Sequence, residues 1–143
     1  MNGDFWSNLQ ALRKAYSVSI EPVCQKWNLT RAEIDVLLFL SGDSGMDRAA
    51  DIVEYRGLTK SHVSVAVKEL CRRGLLGSRQ DDEDRRAIHL KPTAAAVQIV
   101  EDGKAAQKAN ISKLFEGFTP EEKQQWCKLI KKMGSNVMNM IQE

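Results

Sequence analysis

Residues 47–92 restrict the fold more than any other part of the chain, because helical spacing gives way there to strand-like spacing within a few residues. Short helices are predicted over residues 47–55 and 59–73, with Gly57 breaking the first and Gly74 ending the second. Two short helices joined by a tight turn that contains glycine are typical of a helix-turn-helix. The sequence therefore predicts a helix-turn-helix in the middle of the chain.

A β-hairpin is predicted directly after the second short helix. Residues 75–79 and 86–90 have the length of short strands, and the polar run Gln80-Asp81-Asp82-Glu83-Asp84 separates them. Pro92 ends the second strand, because proline has no amide hydrogen to donate to a strand ladder. A hairpin in this position is the wing of a winged helix-turn-helix.

Capping residues mark where the helices begin. Thr30-Arg31-Ala32-Glu33 forms a capping box before a second helix, and Thr119-Pro120-Glu121-Glu122 gives the same signal before the last one. Asp47 and Thr59 are expected to cap the two short helices. Thr93 is expected to open a long helix after the wing.

Long amphipathic helices flank this central unit. A helix over residues 5–26, kinked near Pro22, has apolar residues at three- and four-residue steps, and helices over 93–116 and from Pro120 onward follow the wing. The last helix carries a long apolar stripe: Trp126, Leu129, Ile130, Met133, Val137, Met140 and Ile141. A chain of 143 residues has few other elements to cover such stripes, so we expect a second subunit to cover them. The predicted fold class is mainly α with a small β-hairpin wing: a winged helix-turn-helix flanked by long dimerisation helices.

The composition limits the chemistry that the chain can carry out. Three widely spaced cysteines argue against a disulfide framework and favour a reducing, cytoplasmic setting; the redox activity of one of them, Cys24, is left open. The only histidines, His62 and His89, have no metal-ligand spacing, so we expect neither a metal nor another cofactor. We expect no secretory signal and no membrane partner, since no apolar run approaches the roughly 18 residues of a membrane span. No nucleophile elbow, phosphate loop or zinc-protease motif is present, so no enzyme is predicted.

Basic residues are concentrated in the central part of the chain. Residues 56–91 carry nine Lys/Arg against five Asp/Glu, although the net charge of the whole chain is only +2. This asymmetry favours an anionic partner at the centre, although a solvated charged surface would give the same count.

The predicted helix over residues 59–73 has one side that suits a DNA groove. Val63, Ala66, Val67 and Leu70 share the side expected to face the core. The opposite side presents small, hydroxyl and cationic side chains: Ser61, Ser64, Val65, Lys68 and Arg72. Serine can bond base edges, lysine can reach guanine or phosphate, and a valine can touch a thymine methyl. An ordinary surface helix is the alternative interpretation.

The start of this helix and the wing supply further candidates. Thr59 and the amides near Lys60 and Ser61 favour a phosphate. His62 is a candidate for contact with a base or a phosphate, whereas His89, on a wing strand, is expected to be structural.

The wing tip Asp84-Arg85-Arg86 places two arginines where a minor groove, with its negative potential, could accept one of them. Asp84 is close enough in sequence to orient Arg86 or Arg85 through a carboxylate–guanidinium pair. The alternative is a solvated charged turn whose ion pairs contribute little.

The chain resembles the MarR family of transcriptional regulators. The segments that carry the resemblance follow one another in order: Leu29-Thr30, 36–40, 58–64, 70–76, Arg79, the wing Asp84-Arg85-Arg86-Ala87 and Thr93. Three positions depart from the family pattern: Val65 stands where an arginine is common, Pro92 replaces a leucine, and Ala96 replaces a glycine.

The resemblance implies an obligate homodimer in which the helix over residues 59–73 of each subunit reads a major groove and Arg86 enters the adjacent minor groove. Arg79 joins the DNA-contacting residues on this basis. The family resemblance also implies a repressor of nearby genes, on a pseudo-palindromic double-stranded operator, that a small-molecule or oxidant signal releases. Effector pockets in this family lie between the DNA-reading unit and the dimerisation helices, where Arg13, Tyr16 or Trp27 could line one.

Residues 1–143 are thus predicted to form a single domain, with the winged helix-turn-helix in 30–92 and dimerisation helices in 1–28 and 93–143. Two other classes of function stay open: a winged-helix module that binds another protein, and a helical small-molecule binding protein or enzyme.

Overall fold

A computed structural model describes residues 4–142, and it is mainly α with one two-stranded hairpin, as predicted. The elements in chain order are α1 (Asp4–Trp27), α2 (Arg31–Leu40), α3 (Ala49–Arg56), α4 (Lys60–Arg72), β1 (Leu76–Gln80), β2 (Ile88–Pro92), a 3-10 turn (Ala94–Ala96), α5 (Val97–Leu114) and α6 (Pro120–Gln142). The described residues form two compact units, 4–110 and 111–142, each considered separately below.

Three of the predicted helix starts are confirmed by the hydrogen bonds that form them. The Thr30 hydroxyl accepts the Glu33 amide, and the Glu33 carboxylate accepts the Thr30 amide. The Thr59 hydroxyl accepts the His62 amide. Thr119 and Glu122 exchange the same pair of bonds as Thr30 and Glu33.

The predicted cap at Asp47 is wrong. Helix α3 begins at Ala49, and Asp51 reaches back so that its carboxylate accepts the Arg48 amide at 3.0 Å. The side chain of Asp47 is instead bonded to a residue of the wing. Asp47 therefore stabilises a tertiary contact and does not cap α3.

The hairpin is displaced by one to two residues from its predicted place. Antiparallel pairing runs from Leu76 opposite Pro92 to Gln80 opposite Ile88, so Pro92 is the last strand residue but Arg86 lies in the loop. Asp81 causes the wide loop, because one of its carboxylate oxygens accepts the amides of Glu83 and Asp84. Those bonds turn the chain away from the strand ladder.

The base of the hairpin is closed by Thr93. Its amide donates to the Leu75 carbonyl at 3.1 Å, and its hydroxyl donates to the Gly74 carbonyl at 2.6 Å. Thr93 therefore stands at the start of the helical segment, as predicted, but its hydroxyl does not cap that segment. The chain leaves the wing beside the point where it entered.

The hydrophobic core lies in the first unit, where α4 packs on α2 and α3. Val63, Ala66 and Leu70 are buried on the inner side of α4, as predicted. They meet a core that includes Leu37 of α2 and Ile52 of α3, both fully buried. The burial of α4 therefore determines which of its side chains remain outside.

The second unit, residues 111–142, has no buried residue in its long helix. Phe115 packs edge-on against Phe118 and Trp126, with ring centres 5.2 and 5.0 Å apart. The predicted stripe of α6 is exposed from end to end: Trp126, Leu129, Ile130, Met133, Val137, Met140 and Ile141. An apolar stripe of this length is unusual on the surface of a monomer.

Asp102 of α5 joins that helix to the end of α1. Its carboxylate accepts hydrogen bonds from Lys26 at 2.7 Å, from the Trp27 indole at 2.8 Å and from Gln98 at 3.0 Å. The hydrogen bonds from Lys26, Gln98 and Trp27 lower the pKa of Asp102 to about 2.

This contact predicts how the protein responds to acid. The pKa of Asp102 is lower in the folded chain than the ordinary 3.8, so its contribution is fully present above pH 4 and is lost as the pH falls towards 2. We expect the free energy of unfolding of the wild type to fall more steeply across that range than that of Asp102→Asn, whose amide oxygen still accepts but does not titrate. Denaturant unfolding at a series of pH values measures this, and parallel curves for the two proteins would contradict it.

Candidate nucleic-acid interface

The outer side of α4 presents the side chains that the sequence predicts there. Ser61, Ser64, Val65 and Lys68 are exposed, and Val65 keeps 69% of its surface open although it is apolar. Isolated exposed valines are common, but this one stands between a serine and a lysine on a helix whose opposite side packs on the core. The arrangement offers hydroxyl, methyl and ammonium groups along one line.

The first turn of α4 adds donors for an anion. Helix-initial amides lack carbonyl partners within the helix, and the Thr59 hydroxyl satisfies only that of His62. Lys60, at the first helical position, is exposed, as are Ser61 and His62. A phosphate placed at this end would meet backbone amides, the helix dipole and a lysine.

Arg72, at the far end of α4, is already bound within the helix. Its guanidinium donates to both carboxylate oxygens of Glu69, at 2.8 and 2.6 Å. These bonds raise the pKa of Arg72 and lower that of Glu69. An anion that used Arg72 would therefore have to compete with a carboxylate that already holds it.

The wing tip exposes both arginines, but the predicted carboxylate–guanidinium pair is wrong. Asp84 makes no ion pair with Arg85 or Arg86 in the described part of the chain; its carboxylate accepts the backbone amide of Arg86 at 3.0 Å. Asp84 thus shapes the turn that carries the arginines and leaves both guanidinium groups without a carboxylate partner. A charged donor is more available to a ligand in this state than in an ion pair.

Arg79 lies on β1 opposite His89, and its side chain is exposed. Its guanidinium donates to the Gln80 carbonyl, at 3.4 Å. Arg79 is therefore a further cation of the hairpin, set back from the tip.

A cluster that the sequence pattern does not predict joins the wing to the start of α3. The Nδ1 atom of His89 lies 2.8 Å from the Asp47 carboxylate, and its Nε2 atom lies 2.7 Å from the Asp81 carboxylate. The bonds to Asp81 and Asp47 raise the pKa of His89, and the bond from His89 holds that of Asp81 well below its usual range. The structural role predicted for His89 is borne out, but its two partners could not be identified from spacing alone.

Cys24 is buried in the core, and burial raises the pKa of its thiol. A thiol that stays protonated is a poor nucleophile, so this environment does not favour reaction with oxidants. Residues 4–142 contain no group of His, Cys, Asp and Glu side chains placed to hold a metal ion. No helix in the same range is long and apolar enough to cross a membrane.

A cleft of about 440 Å³ lies beside the base of the wing, between the end of α2 and the start of α5. Its lining is largely apolar, with charged groups at the rim: Leu40, Ser41, Lys91, Pro92, Thr93, Val97, Val100, Glu101 and Lys104. None of the three residues that the sequence suggested for a pocket lines it. Trp27 is bonded to Asp102, Tyr16 is bonded to Gln107 and stacked under Arg31, and Arg13 is exposed.

A helix-turn-helix whose second helix exposes a polar face, followed by a hairpin with exposed arginines at its tip, defines a winged helix-turn-helix. Residues 27–87, from the end of α1 through the wing loop, match the sequence model of the MarR family. This part of the chain is therefore a winged helix-turn-helix whose sequence matches the MarR family, as the resemblance predicts.

Solved structures share the fold over nearly the whole chain. A MarR family regulator from Listeria monocytogenes, complexed with 26mer DNA, superposes with a TM-score of 0.83 at 19% identity, covering 97% of this chain and 91% of that one. A MarR protein from Peptoclostridium difficile gives 0.82 at 23% identity, covering 98% and 91%. A MarR family regulator from Silicibacter pomeroyi gives 0.80 at 22%, covering 90% and 86%. No curated protein matches the chain by sequence.

Proposed function

We propose that this protein is a sequence-specific DNA-binding transcriptional regulator that acts as a homodimer. The observation that carries the proposal is the outer side of α4, where Ser61, Ser64, Val65 and Lys68 project from a helix anchored by its buried side. A helix of this width fits the major groove, where hydroxyl, ammonium and methyl groups can read base edges. The relative from Listeria monocytogenes whose structure contains DNA supports the same assignment.

The proposed contacts divide into base readout and phosphate positioning. Ser61, Ser64, Val65 and Lys68 read bases. The first turn of α4 holds a phosphate, through Thr59, Lys60 and His62. Arg72 and Arg79 add backbone contacts, and Arg72 does so only after it leaves Glu69.

The wing completes the interface in the adjacent minor groove. Arg86 is assigned to that groove, because its guanidinium is exposed and has no carboxylate partner among residues 4–142, and Arg85 is assigned to a neighbouring phosphate. Asp84 orients Arg86 through the backbone amide that it accepts. The Asp84 carboxylate therefore helps to shape the wing, although its negative charge repels the DNA phosphates.

Dimerisation is proposed from the exposed apolar stripes of the terminal helices. Helix α6 has no buried residue, and α1 exposes Trp6, Leu12 and Val18. A second copy of the chain would cover these surfaces and give the two-fold symmetry that a pseudo-palindromic operator mirrors. The domain plan follows, with residues 30–92 reading DNA and residues 1–28 and 93–143 joining two subunits.

Repression relieved by a small molecule is the proposed mode of regulation. The cleft at the base of the wing supports it, because an apolar ligand there would touch both the end of β2 and the start of α5. A ligand that binds one arrangement of these elements better than another shifts the population of the DNA-binding form. Repeating the DNA titrations below with lipophilic phenols present tests the release.

The reading helix generates the first test of this function. Ser64→Ala combined with Lys68→Ala should lower the preference for DNA selected by the wild type over random DNA by about tenfold or more, since each good base contact contributes about 1–3 kcal/mol. Mobility shifts at fixed salt measure both affinities. Lys108→Ala, which removes an exposed lysine of α5, is the matched control and should keep the preference. A wild-type protein that selects no sequence at all would overturn the proposal and favour a module that binds another protein.

The wing generates a second test, in which two substitutions of one residue differ in sign. Asp84→Asn removes the negative charge but keeps an acceptor for the Arg86 amide, so it should bind DNA as tightly as the wild type or more tightly. Asp84→Ala removes both and should bind more weakly, despite the same gain in charge. Arg86→Ala should reduce the slope of log affinity against log salt by about one. Tighter binding by Asp84→Ala would refute the orienting role.

The stripe of α6 generates a third test. Light scattering should give twice the mass of the chain for the wild type. Leu129→Glu should raise the dimer dissociation constant by at least about a hundredfold, because burying an unpaired charge costs several kcal/mol. Gln124→Glu places the same side chain on the opposite face of α6 and should leave the dimer intact. A well-folded monomeric wild type would disprove the assignment.

A further inference from the structure

We propose that His89, doubly protonated and held between Asp47 and Asp81, is the positioning residue that fixes the wing to the start of α3, and that loss of one ring proton releases the wing and weakens DNA binding. The inference rests on the proposed function for its effect on DNA, but the cluster itself is independent of DNA. It assigns a role to three residues outside the DNA-contacting set.

The geometry requires two ring protons. Both carboxylate oxygens of Asp47 lie within 2.9 Å of Nδ1, and an oxygen of Asp81 lies 2.7 Å from Nε2. Ionised carboxylates only accept hydrogen bonds, and a neutral imidazole has only one N–H to donate. One of the two contacts would then bring a lone pair against an anion, so only the imidazolium satisfies both.

The two carboxylates belong to different parts of the fold. Asp47 lies two residues before the start of α3, and its backbone carbonyl also accepts the amide of Leu90 in β2. Asp81 begins the wing loop, and its other oxygen holds the amides of Glu83 and Asp84. The ring of His89 therefore connects the turn that carries Arg85 and Arg86 to the helix-turn-helix.

The other charges around the ring come from every element packed against it. Arg48 approaches Asp81 at 3.8 Å, Arg79 faces His89 across the hairpin, and Lys91 lines the same depression on β2. The two carboxylates outweigh these cations at the ring, because they are in direct contact with it. The resulting pKa of His89 lies above its ordinary 6.5.

The contribution of His89 to the fixed wing decreases as the pH rises. A group whose folded-state pKa is raised contributes fully below its ordinary value and loses that contribution as the pH rises through the raised one. Since 19% of the side chain is exposed, the departing proton has direct access to solvent. The wing is therefore fixed below pH 6.5 and is released as the pH rises through the raised pKa of His89.

Two measurements on the full-length protein test this inference. The first is NMR of the histidine ring nitrogens and of the amides of residues 81–87 between pH 5.5 and 9.5, without DNA. We expect one histidine, absent from His89→Gln, to stay doubly protonated beyond pH 6.5 and to titrate together with the amides of Glu83 and Asp84. A ring that is neutral at pH 6.5, or loop amides that do not follow its titration, would overturn the proposal whether or not the protein binds DNA.

The second measurement is DNA affinity over the same pH range. The DNA affinity of the wild type should fall about tenfold as His89 deprotonates, the loss expected when one good groove contact is no longer held in place. His89→Gln should bind with the lower affinity throughout and show no such step.

Two variants separate positioning from simple charge. Lys91→Gln removes a cation two residues away on the same strand and should keep the step, with any loss of affinity uniform below pH 9. His62→Gln removes the other histidine and should also keep the step, whatever it does to the affinity itself. A step that persists in His89→Gln or disappears in His62→Gln would refute the role of His89. If the wild type binds DNA at no pH, the proposed function fails, and the NMR titration still decides the cluster.

Discussion

The packing of α4 on α2 and α3 is the contact on which the rest of the structure depends. Val63, Ala66 and Leu70 are buried on one side of a helix of 13 residues, and fully burying a valine or leucine contributes about 1.5–3 kcal/mol each. An isolated helix of this length is only marginally stable in water. The buried side therefore stabilises α4 and also fixes its orientation about the helix axis. This orientation decides which side chains point outwards.

The wing depends on the same unit through polar contacts. Its base is closed by Thr93 against Gly74 and Leu75, and its side is held by His89 between Asp47 and Asp81. The loop beyond these contacts is shaped by carboxylates that accept backbone amides. This explains why four acidic residues stand beside two arginines: two of them, Asp81 and Asp84, are structural acceptors.

Features that depend on neighbours in sequence were predictable, and those that depend on distant partners were not. The capping boxes at Thr30 and Thr119 involve residues three apart, so their patterns are visible in the chain itself. The pair of Arg72 and Glu69 has the same spacing and could have been found. Asp47 and His89 are 42 residues apart, and only the folded hairpin brings them together. Asp84 was placed correctly in the wing but given the wrong donor, because spacing does not distinguish a guanidinium from the backbone amide two residues on.

Closing the hairpin at its base makes the wing a local insertion in the chain. Because Thr93 returns to Gly74 and Leu75, the distance between the end of α4 and the start of α5 does not depend on how many residues lie beyond the strands. The reach of the wing can therefore change during evolution, by lengthening or shortening the tip, without disturbing the helices on either side. The same property makes the tip a suitable place for a fluorescent label or a short peptide, provided that Asp81 and His89 are kept and that Asp84, Arg85 and Arg86 are left unchanged.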